Sequence, residues 1–518
     1  MEHIDRKFSS DDKRIFIVTA LMMVAIHGFA FTNLMYSHDS LNTFYTYYAA
    51  KVDLGRWLYP LVQNIREVAT PWMMGVFSVV YVSLAVVFVV RLLRFDKLKG
   101  ICVSVLFASN ITLIALFCTY SFDADADCLA LLLSCLAAYS FDRYEGKKKI
   151  ILSILFIVCT LALYQAYICV TIGLFLFVII YESNEANDNQ RIYRVVMTGG
   201  KEILILMVSS LIYGVGTIIA AGMYSVNFSN DYNGPGKLAT LGIKDMVSLF
   251  PRAYGSFLKR LLLTENHGSF SSVFATVILL LLIALYLLLY ARIVKGKTGA
   301  LGIVIACLFI MPVALNVIYV ISFGVVHELM IFSYCIFLLT PLVFDELLKK
   351  YHIVFGKNKN LELSKILFVV TVVCLSIIGF NNTVFANEVY TNKKLVYDNT
   401  LLHAQKVWED VNSLEEYVEG ETPVIFLGEF KESKAAYKNS LMTKYKKALL
   451  GSDSSSITYE DCIILFYKGI LGRNMVIEHF DSQIDDFAQI DNMPSYPSEG
   501  YCKYFSGKVI VKMSELEH

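Results

Sequence analysis

The stretch Ile150–Tyr181, IILSILFIVCTLALYQAYICVTIGLFLFVIIY, decides how the rest of the chain is arranged. As a single helix it would be about 48 Å long, whereas the hydrocarbon core of a bilayer is roughly 30 Å thick. We therefore predict two short crossings that turn at Tyr164-Gln165. Basic residues flank the stretch on both sides, and because Lys and Arg favour the cytoplasmic face, both of its ends are expected there. The flanking bases are Arg143, Lys147, Lys148 and Lys149 before it and Arg191, Arg194 and Lys201 after it.

The composition is that of an integral membrane protein. Apolar residues make up 56% of the 518 residues and charged residues 17%, against roughly 45–50% and 25% in soluble domains. The mean hydropathy is +0.56. The formal net charge is zero, and no basic domain stands out, which argues against a nucleic-acid partner.

Apolar runs of membrane-spanning length recur along the chain, and counting the longest one twice predicts about eleven transmembrane helices. The runs lie near 15–36, 71–90, 101–120, 122–141, 150–181, 202–222, 270–291, 299–320, 329–346 and 365–380. Basic clusters precede the first crossing and follow the second, eighth and tenth, which places the N-terminus in the cytoplasm and the C-terminus outside the cell membrane. The first run is too long for a signal-peptide core and lacks a small-residue cleavage site.

The chain divides by composition into two predicted domains, a transmembrane domain over 1–380 and a polar extracytoplasmic domain over 381–518. The second reads as a small α/β domain, with strands at 423–427 and 508–512 and helices at 431–449 and 457–471. Cys462 and Cys502 both lie in it, and two interpretations stand: a disulfide, which suits an oxidising compartment, or two free thiols. No Cys or His set has the spacing of a zinc site.

The first outer loop offers a candidate base and a candidate phosphate ligand. His38-Asp39 follows the first crossing, with aromatic residues behind it. A carboxylate against such a half-dry surface suits a general base, whereas the alternative is a solvated residue that ends a helix. Arg56, in Gly55-Arg56-Trp57, is a planar donor that can bind a phosphate or anchor the chain at the membrane surface.

Three carboxylates, Asp123, Asp125 and Asp127, stand at the outer end of the fourth crossing. On a helix Asp123 and Asp127 share a face, while Asp125 points elsewhere. Acids near a helix N-terminus favour its dipole, and Ser121 or Asp123 can act as the cap. Three acids exceed what capping needs, and ionisable groups at membrane depth favour a functional site.

Further candidates lie in later segments of the chain. A Gln at the depth of Tyr164-Gln165 must find partners, either sugar hydroxyls or a neighbouring helix. Glu328, next to His327, opens the tenth crossing and either joins the acidic site or is an ordinary interfacial residue. Residues 243–263 form an amphipathic helix typical of the membrane interface, whose bases can bind a lipid phosphate or adhere to anionic lipid. Those bases include Arg252, Lys259 and Arg260.

Together these motifs resemble the Gtr-type glucosyltransferases, which are polytopic enzymes that decorate bacterial surface glycans. The resemblance rests on Asp39 after the first crossing, Gly55-Arg56-Trp57-Leu58, Phe122-Asp123 with its acidic neighbours, and Tyr164-Gln165. It covers roughly residues 20–390 by order and spacing. The family is similar in architecture to the GT-C glycosyltransferases.

The resemblance implies a hexosyltransferase that takes a sugar from a polyprenyl-phosphate donor at the outer leaflet and transfers it to a glycan acceptor in one inverting step. It implies Asp39 as the catalytic carboxylate and Asp123 or Asp125 as an active-site acid. His38 stands where a paired acid is common in the family, so a divalent cation is neither required nor ruled out by the sequence. We expect His38, Arg56, Asp127 and the later candidates to bind substrate.

Other functions remain open at this stage. A transporter or flippase of lipid-linked glycans predicts polar residues throughout the membrane interior and an internal repeat, whereas the ionisable residues here stand at outer ends. A surface-polysaccharide polymerase is a transferase that one sequence separates poorly from a side-branch enzyme. A membrane O-acyltransferase needs a His deep in a crossing, and His27 is the only such residue.

Overall fold

The computed structural model describes two compact units of this chain. The described residues are 8–41, 51–66, 70–185, 190–230, 234, 236, 242–262, 270–294, 298–355, 358–428, 440–445, 450, 457, 460–479, 490 and 492–514. The first unit comprises residues 1–31, 47–116 and 123–386, and the second comprises 32–46, 117–122 and 387–518.

The first unit is built from helices. They are α1 (Ser10–Thr32, whose last residue falls in the second unit), α3 (Tyr59–Arg66), α4 (Pro71–Leu92), α5 (Lys97–Ala108), α6 (Ile111–Thr119, which also reaches the second unit), α7 (Ala124–Arg143), α8 (Gly146–Leu163), α9 (Ile168–Glu185), α10 (Arg191–Tyr224), α11 (Ile243–Leu262), α12 (Phe270–Ile293), α13 (Thr298–Ala314), α14 (Val317–Ile321), α15 (Tyr334–Leu338), α16 (Thr340–Phe355) and α17 (Asn358–Asn412). The short α2 (His38–Leu41) belongs to the second unit. The division between the units falls within α17, past the predicted domain boundary at residue 380.

Eight helices of the described residues are long and apolar enough to cross a bilayer, which confirms a polytopic α-helical membrane protein. They span Ser10–Thr32, Pro71–Leu92, Lys97–Thr119, Ser121–Arg143, Gln165–Glu185, Arg191–Tyr224, Ser271–Ile293 and Leu363–Asn412. The remaining three predicted crossings correspond to α8, α13 and the α15–α16 segment, which are shorter or partly polar. Along α10, large apolar side chains such as Leu211 (70% exposed) and Met223 (77% exposed) face outward, as lipid contact requires.

The predicted break at Tyr164-Gln165 is confirmed. Helix α8 ends at Leu163, Tyr164 is extended (φ −156°, ψ 113°), and a 3₁₀ turn over Gln165–Tyr167 leads into α9. Helix α7 closes part of this break, because Ser134 Oγ donates to the carbonyl of Tyr167 at 2.9 Å. Irregular backbone at membrane depth persists only where such neighbours satisfy its polar groups.

A buried ion cluster joins the beginning of α5 to α16 and α17. The Lys99 side chain is fully buried, and its Nζ lies 2.9 Å from Asp345 Oδ2 and also contacts Glu346. Ser364 of α17 donates to Asp345 at 3.1 Å. A buried cation is tolerated only when it is paired in this way, so these contacts fix the three helices to one another.

The second unit holds a small four-stranded sheet of order β2-β1-β4-β3. Strand β1 (Pro423–Leu427) pairs in parallel with β2 (Val476–Ile477) and with β4 (Lys508–Lys512), and β3 (Cys502–Phe505) pairs antiparallel with β4. Both predicted strands are confirmed. Of the predicted helix 431–449 only Leu441–Lys444 (α18) is a described helix, and the rest of it lies almost entirely outside the described residues.

Helix α19 (Glu460–Leu465) and the π-helical turn Phe466–Ile470 pack on this sheet and account for the predicted helix at 457–471. The hydrophobic cluster beneath them includes Val424, Phe426, Tyr467 and Val511. Cys462 and Cys502 adjoin the same cluster, and no disulfide joins them in the structure.

Candidate active site

The loop over 51–58 is bound to the break between α8 and α9. Gln165 Nε2 donates to the carbonyl of Leu54 at 2.9 Å, and the Leu58 amide donates to the carbonyl of Ala162 at 3.1 Å. Two motifs that lie about a hundred residues apart in the sequence are therefore in direct contact. The Gln165 amide, for which sugar hydroxyls and a helix contact were both considered, bonds to protein groups on its donor side.

The same contact places the side chain of Arg56 beside the break. Its guanidinium carbon lies 4.4 Å from the ring centroid of Tyr164, a cation–π distance. A tight turn at the start of the loop supports this position, because the Arg56 amide donates to the carbonyl of Lys51 at 3.0 Å. Gly55 lies at φ +79°, a left-handed conformation that glycine adopts at little cost.

Asp123 is held by two cations from this loop. Its side chain forms an ion pair with Lys51, and Arg56 Nη1 lies 4.0 Å from its Oδ2. Asp123 is only 3% exposed, so the pairing offsets the cost of burying the carboxylate. Lys51 was not singled out from the sequence.

Asp125 has a different partner. It forms an ion pair with Arg66 in which both side chains are 2% exposed. The Arg66 guanidinium also donates to the hydroxyl of Tyr59 at 3.0 Å and to Met74 Sδ at 3.4 Å. This fully buried group fixes α3 to the beginning of α7.

Asp127 is buried, with 4% exposure, but forms no ion pair or side-chain hydrogen bond with the described residues. The charges that act on it most strongly are those of Arg56 and Lys51. It is therefore the one carboxylate of the three whose oxygens are not already bound by a cation of the described chain.

The charges around these acids agree with the predicted arrangement, in which Asp123 and Asp127 share a face and Asp125 points elsewhere. Lys51 and Arg56 act on both Asp123 and Asp127, whereas Asp125 pairs with Arg66. Asp123 itself lies in a 3₁₀ turn (Ser121–Asp123) before the first residue of α7. Asp123 occupies the N-cap position, yet its side chain makes no capping hydrogen bond. Capping therefore does not account for this carboxylate, whereas the cations of the loop do.

A cavity of about 460 Å³ opens beside this charge cluster. We call it the Arg56 cavity; Leu54 and Arg56 of the loop, the break at Tyr164-Gln165 and one face of α10 line it, together with Ile318, Ile321 and Met330. Tyr213 of α10 accepts a hydrogen bond from Gln165 at 2.8 Å at its wall. Its volume is that of an ordinary ligand site, and its lining, mainly apolar with a few polar groups, is typical of one.

Several buried polar atoms near the Arg56 cavity have no hydrogen-bond partner among the described residues. They are Arg56 Nε, Trp57 Nε1 and Asp123 Oδ1. Buried polar groups are nearly always paired with protein, water or ligand. Their unmet hydrogen bonds indicate that a polar group is bound here in the working protein.

Other predicted site residues lie elsewhere. Arg260 of α11 donates to the carbonyl of Val326 at 2.6 Å, and its Nη1 lies 3.8 Å from Glu328 Oε1, so these two candidates pair with each other. Neither Arg252 nor Lys259 lines the Arg56 cavity. His38 and Asp39 belong to α2 of the second unit, but their side chains lie outside the described residues.

Among the described residues no group of three or more His, Cys, Asp or Glu side chains could hold a metal ion. The side chains of His38 and Asp39 fall outside that statement.

Comparison with known proteins gives one match. The family model described as glucosyl transferase GtrII matches residues 28–344, which is more than half of the chain and includes the whole charge cluster and the Arg56 cavity. Neither the curated proteins nor the solved structures gave a match. The chain therefore belongs to the glucosyl transferase GtrII family, and it is a multi-pass membrane glycosyltransferase.

Proposed function

We propose that this protein transfers glucose or a related hexose from a polyprenyl-phosphate donor to a cell-surface glycan on the outer side of the cell membrane. The observation that carries the proposal is the Arg56 cavity, which combines a cationic end with an apolar wall on a membrane helix. A sugar attached through phosphate to an isoprenoid chain has matching parts, because its phosphate is anionic and its chain is apolar.

The apolar wall of the cavity reaches the lipid-facing surface. Ile218 of α10 lines the cavity and is also 67% exposed. Its neighbours Val215 and Ile219 on the same helix are each 57% exposed. A lipid chain can therefore enter sideways from the bilayer and remain partly in it, whereas a water-soluble nucleotide sugar has no use for such a wall.

The cationic end suits a phosphate that becomes a leaving group. Arg56 presents a planar guanidinium, which binds phosphate oxygens through paired hydrogen bonds. Its Nε is buried without a partner among the described residues. Lys51 pairs with the same oxygen of Asp123 that Arg56 approaches. These two cations can stabilise the charge that develops on the phosphate as its bond to the sugar breaks.

The transfer itself is a single displacement with inversion. The acceptor hydroxyl oxygen bonds to the anomeric carbon, while the bond from that carbon to the phosphate oxygen breaks and polyprenyl phosphate leaves with the electron pair. In this proposal the Asp39 carboxylate takes the hydroxyl proton, which makes a poor nucleophile effective. Asp123 fixes Arg56 and Lys51, and Asp125 fixes Arg66. Asp127, which no cation of the described residues binds directly, orients sugar hydroxyls.

The test uses purified protein in lipid nanodiscs with radiolabelled polyprenyl-phosphate glucose or UDP-glucose as donor. We expect label to reach the acceptor glycan from the polyprenyl donor only. Replacing Arg56→Lys keeps the charge but removes the fork and the stacking on Tyr164, so kcat/KM should fall about tenfold to a hundredfold. Use of UDP-glucose, or translocation of the lipid-linked sugar without transfer, would overturn the proposal.

The assignment of the base has its own test. Asp39→Asn should reduce kcat by about a hundredfold or more, because a positioned base contributes roughly 10²–10⁴ in rate. Asp245→Asn, at an exposed position of α11, is the matched control and should transfer sugar at the normal rate. Near-normal turnover of Asp39→Asn would remove Asp39 from the mechanism.

A further inference from the structure

A second cavity of about 100 Å³ lies in the first unit, apart from the Arg56 cavity. We call it the Tyr334 cavity. It is enclosed by the α5–α6 junction, α11, α12, α15 and α17, and among the described residues its lining shares none with the Arg56 cavity. The polar side chains that line it are Asn110, Arg260, Ser272, Thr276, Tyr334 and Asn382.

One of these side chains, Tyr334, is buried with a hydroxyl that has no hydrogen-bond partner among the described residues. Tyr334 is 5% exposed, and its neighbours in the lining Thr276 and Asn382 are 6% and 8% exposed. An unmet hydrogen bond in an apolar setting costs on the order of 1–3 kcal/mol. The Tyr334 hydroxyl, with two further buried polar side chains around the same cavity, indicates a hydrogen-bonding occupant rather than a packing fault.

The charge of the cavity indicates what kind of occupant this is. Among the described residues of its lining, Arg260 is the one cation. The charge of Arg260 is compensated by Glu328, whose Oε1 lies 3.8 Å from Arg260 Nη1, and Arg260 also donates a hydrogen bond to the carbonyl of Val326. A phosphate would meet the carboxylate as well as the guanidinium, so an anionic ligand is disfavoured. Hydroxyl and amide groups between apolar walls of Leu106, Leu338 and Ile378 suit a neutral, hydroxyl-rich ring instead.

We infer that the Tyr334 cavity is a second sugar subsite, which binds one sugar residue of the acceptor glycan. The inference rests on the proposed transferase function, because an acceptor needs a site separate from that of the lipid-linked donor. A cavity of this size has room for several water molecules. It therefore receives the hydroxyl-bearing edge of a single sugar and no longer oligosaccharide.

The first experiment measures binding without turnover. Saturation-transfer NMR on nanodisc-embedded protein would use the methyl glycosides of glucose, galactose, rhamnose, mannose and N-acetylglucosamine as probes. We expect at least one to bind, and the double variant Tyr334→Phe/Thr276→Val to weaken that binding tenfold or more, since it removes two hydroxyls and no volume. Tyr254→Phe, in the middle of α11 and packed against Phe309, is the matched control and should bind normally.

The second experiment separates an acceptor subsite from a structural role. The double variant should raise the KM for acceptor glycan about tenfold and leave the KM for polyprenyl-phosphate glucose unchanged. The inference is contradicted, and the cavity holds water only, if no glycoside binds or if the double variant does not weaken glycoside binding. Equal changes in the KM values for the two substrates would contradict it in the same way. Glycoside binding by a protein that does not consume the polyprenyl donor would instead contradict the proposed function and leave the subsite standing.

Discussion

At the residue scale, Asp123, Asp125 and Asp127 differ in how their charge is compensated. Asp125 shares a buried ion pair with Arg66, Asp123 shares two cations of the 51–58 loop, and Asp127 has no ion pair among the described residues. One cluster therefore contains a structural carboxylate, a carboxylate that positions cations and one that is still able to bind a ligand.

The pair formed by Arg66 and Asp125 gives a stability prediction. Arg66→Met leaves a buried carboxylate unpaired, and breaking a buried pair from one side costs about 3–5 kcal/mol. The double variant Arg66→Met/Asp125→Leu removes both charges and should recover most of that loss. Thermal unfolding in detergent would measure both changes. A single variant as stable as the native protein would show that the pair does not hold α3 in place.

The sequence indicated which acids to examine but not which bases they meet. Arg66 and Asp125 are 59 positions apart, and their contact depends on how α3 and α7 pack rather than on any local spacing. The contact of Lys51 with Asp123 could not be predicted either, because no local pattern in its loop marks this lysine. The only indication that bases lie close to these acids was the number of charges, because three acids at membrane depth need a comparable number of cations nearby.

At the element scale, the break between α8 and α9 serves as the support for the 51–58 loop. Its amide donor Gln165 binds both Leu54 and Tyr213, at 2.9 and 2.8 Å. The length of the apolar run and the basic residues at both of its ends predicted the break itself. They could not predict its partner, because the loop that it holds comes from a distant part of the chain.

Replacing Gln165→Leu tests this support. The change leaves the carbonyl of Leu54 without its donor, so the loop should open more often and Arg56 should lose its position beside Tyr164. Hydrogen exchange of peptides over 51–58 should speed up, and transfer activity should fall about tenfold or more. Gln405→Leu, on an exposed turn of α17, is the control. Unchanged exchange in the Gln165 variant would contradict the role of the break.

The two cysteines of the second unit, Cys462 and Cys502, give a pH prediction. Burial raises the pKa of Cys502 to about 12, above the usual value near 8.5. At pH 8 the thiolate fraction is therefore very small, and it grows about tenfold per pH unit until the pH reaches that pKa.

Native protein should accordingly resist N-ethylmaleimide at both Cys462 and Cys502 at pH 8, and it should take up two equivalents in the fragment 450–518 after unfolding. Mass spectrometry of that fragment without reductant gives the count. If the unfolded fragment is two hydrogen masses lighter than expected and does not react with N-ethylmaleimide, Cys462 and Cys502 form a disulfide and the prediction is wrong.

At the scale of the whole molecule, apolar run length predicted the helices of the membrane unit, and short apolar runs predicted two of the four strands. Which segments make up the second unit was harder to predict. It draws on residues 32–46 and 117–122 as well as on the C-terminal segment, and these short pieces carry no sequence feature that sets them apart from the neighbouring helices. Strand β2 has only two residues, too few for a periodic pattern.

The basic residues predict the orientation in the membrane, which decides which face of the chain meets the glycan. If α8 and α9 are separate crossings, the turn at Glu145–Gly146 and the C-terminus lie on opposite sides. Alkaline phosphatase inserted at that turn should be inactive, and the same reporter joined after residue 514 should be active. Green fluorescent protein at both positions should give the reverse result and controls for expression.

An inactive phosphatase at the C-terminus would remove one crossing after the turn, whereas an active phosphatase at the turn would reverse the predicted side of the segments before it. The loop of Arg56 and the carboxylates of α7 would then no longer be fixed on the outer face by the distribution of Lys and Arg. Since a surface glycan is reached only from outside, the proposed acceptor would have to be abandoned even if sugar transfer from the lipid donor were observed. Orientation therefore tests the acceptor independently of the chemistry.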